Sequence, residues 1–351
     1  MHIPDGYLSP STCLVFGAAM VPVWGRAARR VRARLGSRHI PLMALGAAFS
    51  FTVMMYNIPL PGGTTAHAAG GALLAVVLGP WAASICLSVA LAIQALLFGD
   101  GGIWSFGANC FTMAFVLPFA SWGVYRLVAG RSPLRSARRW VGAALGGFVG
   151  LNAAALIAAT ALGLQPLLFH TPGGTPLYCP YPLGIAVPAM MIGHLGVAGP
   201  LEGLVTALVV RYLQANEPDL LDPGAAEPQR AFGAGLSRSG LWGGLGALLL
   251  LTPLGLLARG TAWGEWSSGE LGRLLAYVPS GLERLSASRP GAPFPDYSLP
   301  AVAGGTWSGA LLYVLCALLG AAAVAGLMFL LGRLQTAEEG ALPDRGEGRR
   351  Q

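Results

Sequence analysis

The stretch WSGALLYVLCALLGAAAVAGLMFLLG, residues 307–332, contains no charged side chain. An α-helix rises about 1.5 Å per residue, so a run of this length crosses the roughly 30 Å hydrocarbon layer of a bilayer. Three further windows also lack Asp, Glu and Arg, and they lie at 39–99, 140–201 and 239–258. The pattern predicts an all-α integral membrane protein.

The composition supports this class. Apolar residues make up 54% of the chain, charged residues make up 11%, and the mean hydropathy is +0.60. A soluble domain carries roughly a quarter of its residues as charged side chains. Pro, Gly and Arg interruptions divide the apolar windows into candidate helices. Nine spans are predicted, at 11–25, 40–59, 65–79, 82–98, 107–127, 140–163, 183–212, 239–258 and 307–332.

The basic residues set the expected topology. All 22 are arginines, and most of them fall in four clusters at 26–38, 126–139, 211–238 and 333–350. Alternation of nine spans places the four clusters on one side of the membrane, and the positive-inside rule makes that side cytoplasmic. We therefore expect an extracytoplasmic N-terminus and a cytoplasmic C-terminus.

The absence of lysine limits the chemistry. A Walker A loop needs a lysine on the nucleotide phosphates, so we expect a separate subunit to hydrolyse any ATP. The net charge of +7 is explained by arginines that fix topology and contact anionic lipid, without nucleic-acid binding. The sequence has no HExxH motif, no GxSG serine loop and no paired aspartates in facing spans, which disfavours an intramembrane enzyme and leaves no catalytic candidate.

The chain starts MHIPDGYLSP, residues 1–10. With the terminus outside, the α-amine of Met1 and the backbone amide nitrogen of His2 close a five-membered chelate ring around a metal ion. The same amide and the His2 Nδ1 close a six-membered ring. Amide deprotonation is favourable only for a metal that gains strongly from a square-planar nitrogen field, which favours Ni(II) or Cu(II). A fourth in-plane ligand is then required.

The stretch PLPGGTTAHAAGG, residues 59–71, offers His67 as that ligand. Thr64 or Thr65 is a good N-cap, so His67 is expected in the first turn of a helix at 65–79. A helix N-terminus disfavours a cationic side chain, which would keep His67 neutral. From these residues alone, the alternative is that His2 is incidental and His67 is a packing residue.

The first six residues are predicted to form a short plug that folds back into the helices. Ile3–Pro4 forces an extended backbone, Asp5–Gly6 turns the chain, and Ser9–Pro10 is typical of an N-cap followed by the first position of a helix. The small residues on both sides of His67 leave room for this segment.

Several motifs occur in order through residue 212, and together they closely resemble the CbiM/NikM family. These proteins are the nickel- or cobalt-specific substrate-capture (S) components of energy-coupling factor (ECF) transporters. The resemblance implies a seven-helix bundle that receives the chain start, with metal held by Met1, His2 and His67. We expect Met1 to be retained, because the bulky His2 disfavours methionine aminopeptidase. The motifs are MHIPDGYLSP, PGGTTAHAAGG with GPW at 79–81, QALLFGDGG at 94–102 and GAN at 107–109.

The rest of the chain is predicted to be a second module. After the S-component domain (1–212), residues 213–238 are expected to form a cytoplasmic linker. The region 239–332 has two spans around a long extracytoplasmic loop and is similar to the NikN or PDGLE-type accessory component. Its PSGLE at 279–283 has Ser280 in place of the family's Asp. Residues 333–351 are expected to be a cytoplasmic tail.

Four polar residues near these motifs are candidates for shaping the site or the plug: Asn57, Asp5, Asp100 and Asn109. Asn57 precedes PLPGG and is placed to orient either His67 or the plug by a hydrogen bond. Asp100 and Asn109 flank the FGDGG turn, where ordinary turn chemistry is the alternative.

Two further polar residues, His194 and Glu202, lie eight positions apart on one face of the 183–212 span. Polar groups at membrane depth are functional candidates. We expect a hydrogen bond or an interface with a partner subunit at this position, in preference to metal ligation.

The resemblance implies uptake of Ni²⁺ across a bacterial inner membrane, together with an ECF transmembrane T subunit and ATP-binding cassette ATPase subunits. The IPDG opening looks like the nickel branch, whereas cobalt members more often read HIMEG. Co²⁺ for cobalamin supply is the alternative cargo. Affinity alone does not exclude copper, which binds such ligands more tightly.

Overall fold

Helices account for most of the chain in the computed structural model, which describes residues 1–35, 39–60, 64–221, 235–258, 260–288, 290–299 and 306–341. The described residues before 222 form ten α-helices. They are α1 (Pro10–Leu35), α2 (Ile40–Met54), α3 (Gly71–Leu78), α4 (Pro80–Ile93), α5 (Phe106–Asn109), α6 (Leu117–Ala129), α7 (Ala137–Gly163), α8 (Gln165–Leu168), α9 (Leu183–Gly193) and α10 (Gly199–Asn216).

The C-terminal part has two long helices and a loop that carries short ones. The elements are α11 (Gly235–Leu251), α12 (Ser268–Leu275), α13 (Ser280–Ser288) and α14 (Thr306–Ala341). Short 3₁₀ helices occupy Pro218–Leu221, Thr252–Leu257 and Pro295–Tyr297. The middle of the predicted linker, 222–234, and the end of the predicted tail, 342–351, lie outside the described residues.

Three helices contain π-helical turns, at Gln94–Phe98, Cys110–Val116 and His194–Ala198. The first continues α4 to the FGDGG turn, the second links α5 to α6, and the third joins α9 to α10. Such turns are rare overall, and those that occur are often found at functional sites. Here His194 begins one of them, Asn109 directly precedes another, and Asp100 lies two residues after the third.

Six segments of the described chain are long and apolar enough to cross a membrane: Pro80–Phe98, Phe106–Ala129, Ala137–Leu168, Leu183–Asn216, Gly240–Leu257 and Trp307–Arg333. The chain is thus mostly helical and consistent with an integral membrane protein, as predicted, whereas the predicted total of seven plus two spans is not confirmed. The predicted span 11–25 belongs to α1, which continues through its arginines to Leu35. The predicted span 40–59 contains the 15-residue α2.

The predicted helix at 65–79 is wrong in its first half. The strands β1 (Ile58–Leu60) and β2 (Thr64–Ala66) form an antiparallel hairpin in which Ile58 faces Ala66. The backbone then runs without regular structure to Gly71, where α3 begins. The N–H groups of the first turn of α3 bond to Glu202 of α10 and not to a threonine cap, which frees Thr64 and Thr65 for β-pairing.

Small residues let the helices pack closely around α7. A methyl group built on Gly146 would lie 2.7 Å from the Ser121 carbonyl oxygen of α6. One built on Gly147 would lie 3.0 Å from the Glu202 carbonyl oxygen of α10. The second module joins the same bundle, because α14 packs along α2. The two modules therefore share one set of helix contacts.

The helix α1 starts where the sequence predicts. Ser9 Oγ accepts a hydrogen bond of 3.1 Å from the Thr12 backbone N–H, and Pro10 is the first helical residue. This is the pattern of an N-cap followed by proline. The predicted six-residue plug is thus part of a nine-residue segment before α1, which we call the N-terminal plug (1–9) from here on. The start of α1 directs this segment into the protein.

Gly6 marks the contact between the plug and the second module. Its φ is +94°, and a methyl group on it would lie 2.5 Å from the Leu282 carbonyl oxygen and 2.8 Å from the Leu282 Cα of α13. A side chain here would both strain the backbone and push α13 away.

We therefore expect Gly6→Ala to lower the thermal unfolding midpoint of the detergent-solubilised chain. The matched control is Gly174→Ala, where φ is +83° but no atom lies within 4 Å of the added methyl group. The control isolates backbone strain, so Gly6→Ala should cost about 1–3 kcal/mol more. Equal shifts in the two variants would show that α13 does not press on the plug.

Candidate metal centre

The N-terminal plug is buried almost completely. Met1 is 5% exposed, Ile3 is 1% exposed and Leu8 is fully buried. Because each buried backbone group needs a partner, the plug is held by hydrogen bonds along its length. Ser9 N–H donates to Gln165 Oε1 (2.9 Å), and Cys179 N–H donates to the Tyr7 carbonyl (3.0 Å).

Asn109 holds the backbone of Ile3 on both sides. Its Oδ1 accepts from the Ile3 N–H at 2.7 Å, and its Nδ2 donates to the Ile3 carbonyl at 3.0 Å. The Gly102 N–H also donates to that carbonyl, at 3.0 Å, and Ser105 Oγ donates to it as well. Asn109 therefore contacts the plug directly and fixes the residue that follows His2.

Asp5 ties the plug to the turn after α4. Its carboxylate accepts from the backbone N–H groups of Ile103 (2.9 Å), Trp104 (2.8 Å) and Ser105 (3.2 Å). A methyl group on Gly102 would collide with this carboxylate, so the glycine of the FGDGG turn is needed for the approach. The Asp5 carboxylate acts as a structural anchor in this arrangement.

The two predicted histidine ligands meet inside the protein. The rings of His2 and His67 are stacked, with centroids 5.1 Å apart and planes inclined by 29°. Both side chains are buried. His67 Nδ1 lies 3.0 Å from the Ala68 carbonyl, so a neutral ring carries its proton there and leaves the Nε2 lone pair free for a metal. Neither ring nitrogen of His2 has a hydrogen-bond partner among the described residues.

The pKa of His67 lies well below its ordinary value. Burial is the largest cause, and the positive terminal amine and His2 add to it. The sequence led us to expect a neutral His67 because of a helix N-terminus. That reason is wrong, since α3 starts only at Gly71. The neutral imidazole is instead explained by desolvation, which penalises the charged form.

Two carboxylates contact the terminal residues. The Met1 ammonium donates to Glu265 Oε1 at 2.9 Å, and His2 Nδ1 lies 3.1 Å from Asp100 Oδ1. Asp100 Oδ2 accepts from the Tyr297 hydroxyl at 2.6 Å. Burial, followed by the nearby Asp100 charge, raises the pKa of Tyr297 well above its ordinary value, so this hydroxyl remains a donor.

Sequence reasoning did not identify Glu265 or Tyr297. Both lie in the loop of the second module. Glu265 is 264 positions from Met1, and Tyr297 is 197 positions from Asp100. The WGEW motif marks Glu265 as an acidic residue between aromatic ones, but no local periodicity indicates that it reaches Met1. Only the packing of the two modules reveals these contacts.

Asn57 lies on the wall of a cavity of about 640 Å³ that also contains His2 and His67. Its expected hydrogen bond to His67 is not among the hydrogen bonds of the described residues, and His67 pairs with Ala68. Asn57 is therefore placed near the site without orienting the ligand ring.

His194 and Glu202 are both buried within the chain, so their side chains make their contacts inside it. His194 Nδ1 bonds to the Met190 carbonyl at 2.8 Å. Glu202 accepts from the N–H groups of Ala69 (2.8 Å), Gly70 (2.9 Å) and Ala72 (3.0 Å). The internal hydrogen bonds that we considered for this span are present, and Glu202 supports the segment that carries His67.

The arrangement brings together a primary amine, a backbone amide and two imidazoles. Met1, His2 and His67 supply these groups, all from buried positions. Such a nitrogen-only set suits a metal with a strong preference for square-planar nitrogen ligands. The donor chemistry is thus compatible with nickel as a cargo.

A protein-family model described as "Cobalt uptake substrate-specific transmembrane region" matches residues 2–220. The chain belongs to this family. A second family model, described as "PDGLE domain", matches residues 237–337. The chain therefore joins a CbiM region to a PDGLE region, as its motifs suggested.

The names of two curated relatives also describe a fusion of two modules. The chain is 51% identical over 339 residues to the "Fused nickel transport protein NikMN" of Rhodobacter capsulatus, covering 92% of this chain and 95% of the relative. It is 48% identical to the "Probable fused nickel transport protein LarMN" of Lactiplantibacillus plantarum, covering 79% of this chain and 81% of the relative. A crystal structure of a truncated transition metal transporter is 60% identical, with a TM-score of 0.58, covering 61% of this chain and 99% of that one.

Glu202 gives a test of how the His67 segment is held. Glu202→Ala would leave three buried N–H groups without their partner, at a cost of about 3 kcal/mol or more. We expect a lower thermal unfolding midpoint and faster hydrogen exchange at the amides of residues 69–72. Glu217→Ala, at the end of the same helix, is the control and should change neither. Unchanged exchange in Glu202→Ala would mean that the segment is held by other contacts.

Proposed function

We propose that the chain is the substrate-binding membrane subunit of a transporter that imports nickel(II). The observation that carries this proposal is the burial of Met1, His2 and His67 at one place, with the two rings stacked. A free chain terminus is ordinarily solvated and mobile. Its burial beside two histidines is explained if the terminal amine is a ligand.

The capture step follows from this geometry. The Met1 amine, the His2 amide and the His2 Nδ1 form two fused chelate rings, and His67 Nε2 completes the plane. The plug holds the Met1 amine at the site because Asn109 bonds to Ile3 and because Asp5 bonds to the turn after α4. A hydrated ion would lose its water to four nitrogens, and the loss of the ammonium and amide protons accompanies binding.

Nickel is favoured over cobalt by two lines of support. A planar nitrogen field suits Ni(II), and the relatives that cover most of the chain are named nickel transport proteins. The "Cobalt transport protein CbiM" of Ruminiclostridium cellulolyticum is 37% identical over only 36% of this chain. Cobalt(II) is the alternative cargo.

Energy for release would come from other subunits. The chain has no lysine for a Walker A loop, which agrees with an ECF assembly containing a transmembrane T subunit and ATP-binding cassette ATPases. In this proposal the chain spans a bacterial inner membrane with its N-terminus outside and its arginine clusters in the cytoplasm. The chain itself is a transport subunit and not an enzyme.

The ligand set predicts how three variants differ in their nickel spectra. Adding one glycine before Met1 moves the amine out of chelate range while keeping every side chain, so the planar Ni(II) absorption should be lost. His2→Ala and His67→Ala should lose it as well. The measurement is metal content and absorption of the purified full chain after nickel loading.

His194→Ala is the matched control, because His194 is also buried and bonded through Nδ1 to a carbonyl. It should keep the planar spectrum. Retention of that spectrum in the glycine-extended variant would remove the amine from the ligand set. If His194→Ala lost the planar spectrum while His67→Ala kept it, the fourth ligand would be His194 and not His67.

A further inference from the structure

The cavity of about 640 Å³ beside the histidines has an acidic lining drawn from both modules. We call it the entry cavity, and its acidic residues are Asp5, Asp100, Glu265, Glu270 and Asp296. A cavity lined by one sign of charge raises the local concentration of counter-ions. For a chain that imports a divalent cation, such a lining favours arrival from this side.

Two of these carboxylates are already saturated. Asp5 accepts three backbone N–H groups, and Glu270 is engaged by Ser267 and Thr261. Asp100 is different, since Oδ2 accepts from Tyr297 while Oδ1 faces His2 at 3.1 Å. The side chains of Asp100 and Glu265 also keep 19% and 18% of their surface exposed, so an ion in the cavity can reach them.

These two carboxylates converge on His2. One ligand atom from each of His2, Asp100 and Glu265 can be chosen so that all three lie within 4.8 Å of one another. That spacing lets a single cation contact all three, since metal–oxygen and metal–nitrogen bonds measure roughly 2.0–2.6 Å. The cluster combines ligands from the first module with one from the second.

A separate observation also indicates a ligand at this place. The His2 side chain is 2% exposed, yet neither of its ring nitrogens has a hydrogen-bond partner among the described residues. The 3.1 Å contact with Asp100 is within ion-pair distance but lacks hydrogen-bond geometry. In addition, Glu265 holds the terminal ammonium at 2.9 Å, so a positive charge already occupies the cluster.

We propose that His2, Asp100 and Glu265 form an entry site that binds a hydrated divalent cation before it reaches the planar nitrogen ligands. Carboxylate oxygens can replace water ligands of a divalent ion without deprotonation of an amide. The planar set, in contrast, requires the His2 amide to lose its proton. The ion would then move to the terminal amine and amide through His2, the ligand common to both sites. Only this destination rests on the proposed function, because two of the three entry ligands, Asp100 and Glu265, lie outside the planar set.

The site assigns a task to the second module. Glu265 is its contribution, and besides the Met1–Glu265 contact two more hydrogen bonds join its loop to the plug. The Tyr7 hydroxyl donates to the Trp266 carbonyl (2.8 Å), and Ser286 Oγ donates to the Asp5 carbonyl (2.8 Å). The second module thus completes a loading site on the first.

Manganese tests the entry site without the planar set. Mn²⁺ prefers carboxylate, carbonyl and water ligands and is the weakest binder of nitrogen sites among the divalent first-row metals. The experiment titrates Mn²⁺ into the purified full chain and follows the free-ion signal by electron paramagnetic resonance. We expect one bound Mn²⁺, with the Kd raised at least about tenfold in Glu265→Gln and in Asp100→Asn.

Two controls separate this site from its neighbours. Glu283→Gln removes the same charge from the same loop, at an exposed residue outside the entry cavity, and should leave the Kd within twofold. His67→Ala removes a planar ligand but no entry ligand, and it should also leave the Kd unchanged. Thermal unfolding of each variant verifies that it is folded.

The outcomes distinguish the two proposals. If wild-type chain binds no Mn²⁺, or if Glu265→Gln and Asp100→Asn bind it as tightly as wild type, the entry site is wrong, whatever the nickel spectrum shows. If Mn²⁺ behaves as expected while the glycine-extended chain keeps its planar nickel spectrum, the amine is not a ligand but the entry site remains.

A kinetic measurement extends the test to nickel. Glu265→Gln should reach the same final planar spectrum as wild type but approach it about tenfold more slowly at low salt, because the carboxylate that collects the ion is gone. Glu283→Gln should load at the wild-type rate. An unchanged loading rate in Glu265→Gln would contradict a role for this residue before capture.

Discussion

The pairing of Asn109 with both backbone polar groups of Ile3 is the interaction on which the rest of the site depends. Residues 1 and 2 have no rigid element of their own, and their position is set by the residue that follows them. With Ile3 held by Asn109 at 2.7 Å and 3.0 Å, the ring of His2 stacks on that of His67. Without this clamp a chain terminus would be a mobile ligand with a large entropy cost on binding.

The environment around the plug comes from both modules. Asp5 bonds to the turn that follows α4, while Tyr7 bonds to the loop that precedes α12. Asp100 from the first module is held by Tyr297 from the second, and that ring stacks on Phe98 with centroids 4.7 Å apart. The candidate metal centre and the acidic cavity beside it are therefore built by packing between modules and not by either alone.

Sequence reasoning was strongest where chemistry is local. The helix α1 begins at the Ser9–Pro10 signal, and the predicted nitrogen donors at Met1 and His2 rest on their covalent spacing alone. It was weakest where partners are distant. The threonines before His67 looked like helix caps, but β-pairing uses them and Glu202 caps α3 from more than 120 positions away. Glu265 reaches Met1 across 264 positions of the chain, and no pattern in a single sequence encodes such a contact.

The contact between Met1 and Glu265 has a consequence for assembly. Because both modules belong to one polypeptide, their association is intramolecular, and its effective concentration does not depend on how much of each is synthesised. A two-chain version with the same contacts would lose the Met1–Glu265 ion pair whenever the smaller subunit dissociated. Covalent fusion fixes the stoichiometry at one to one, so every copy of the chain can form this contact even when the protein is scarce.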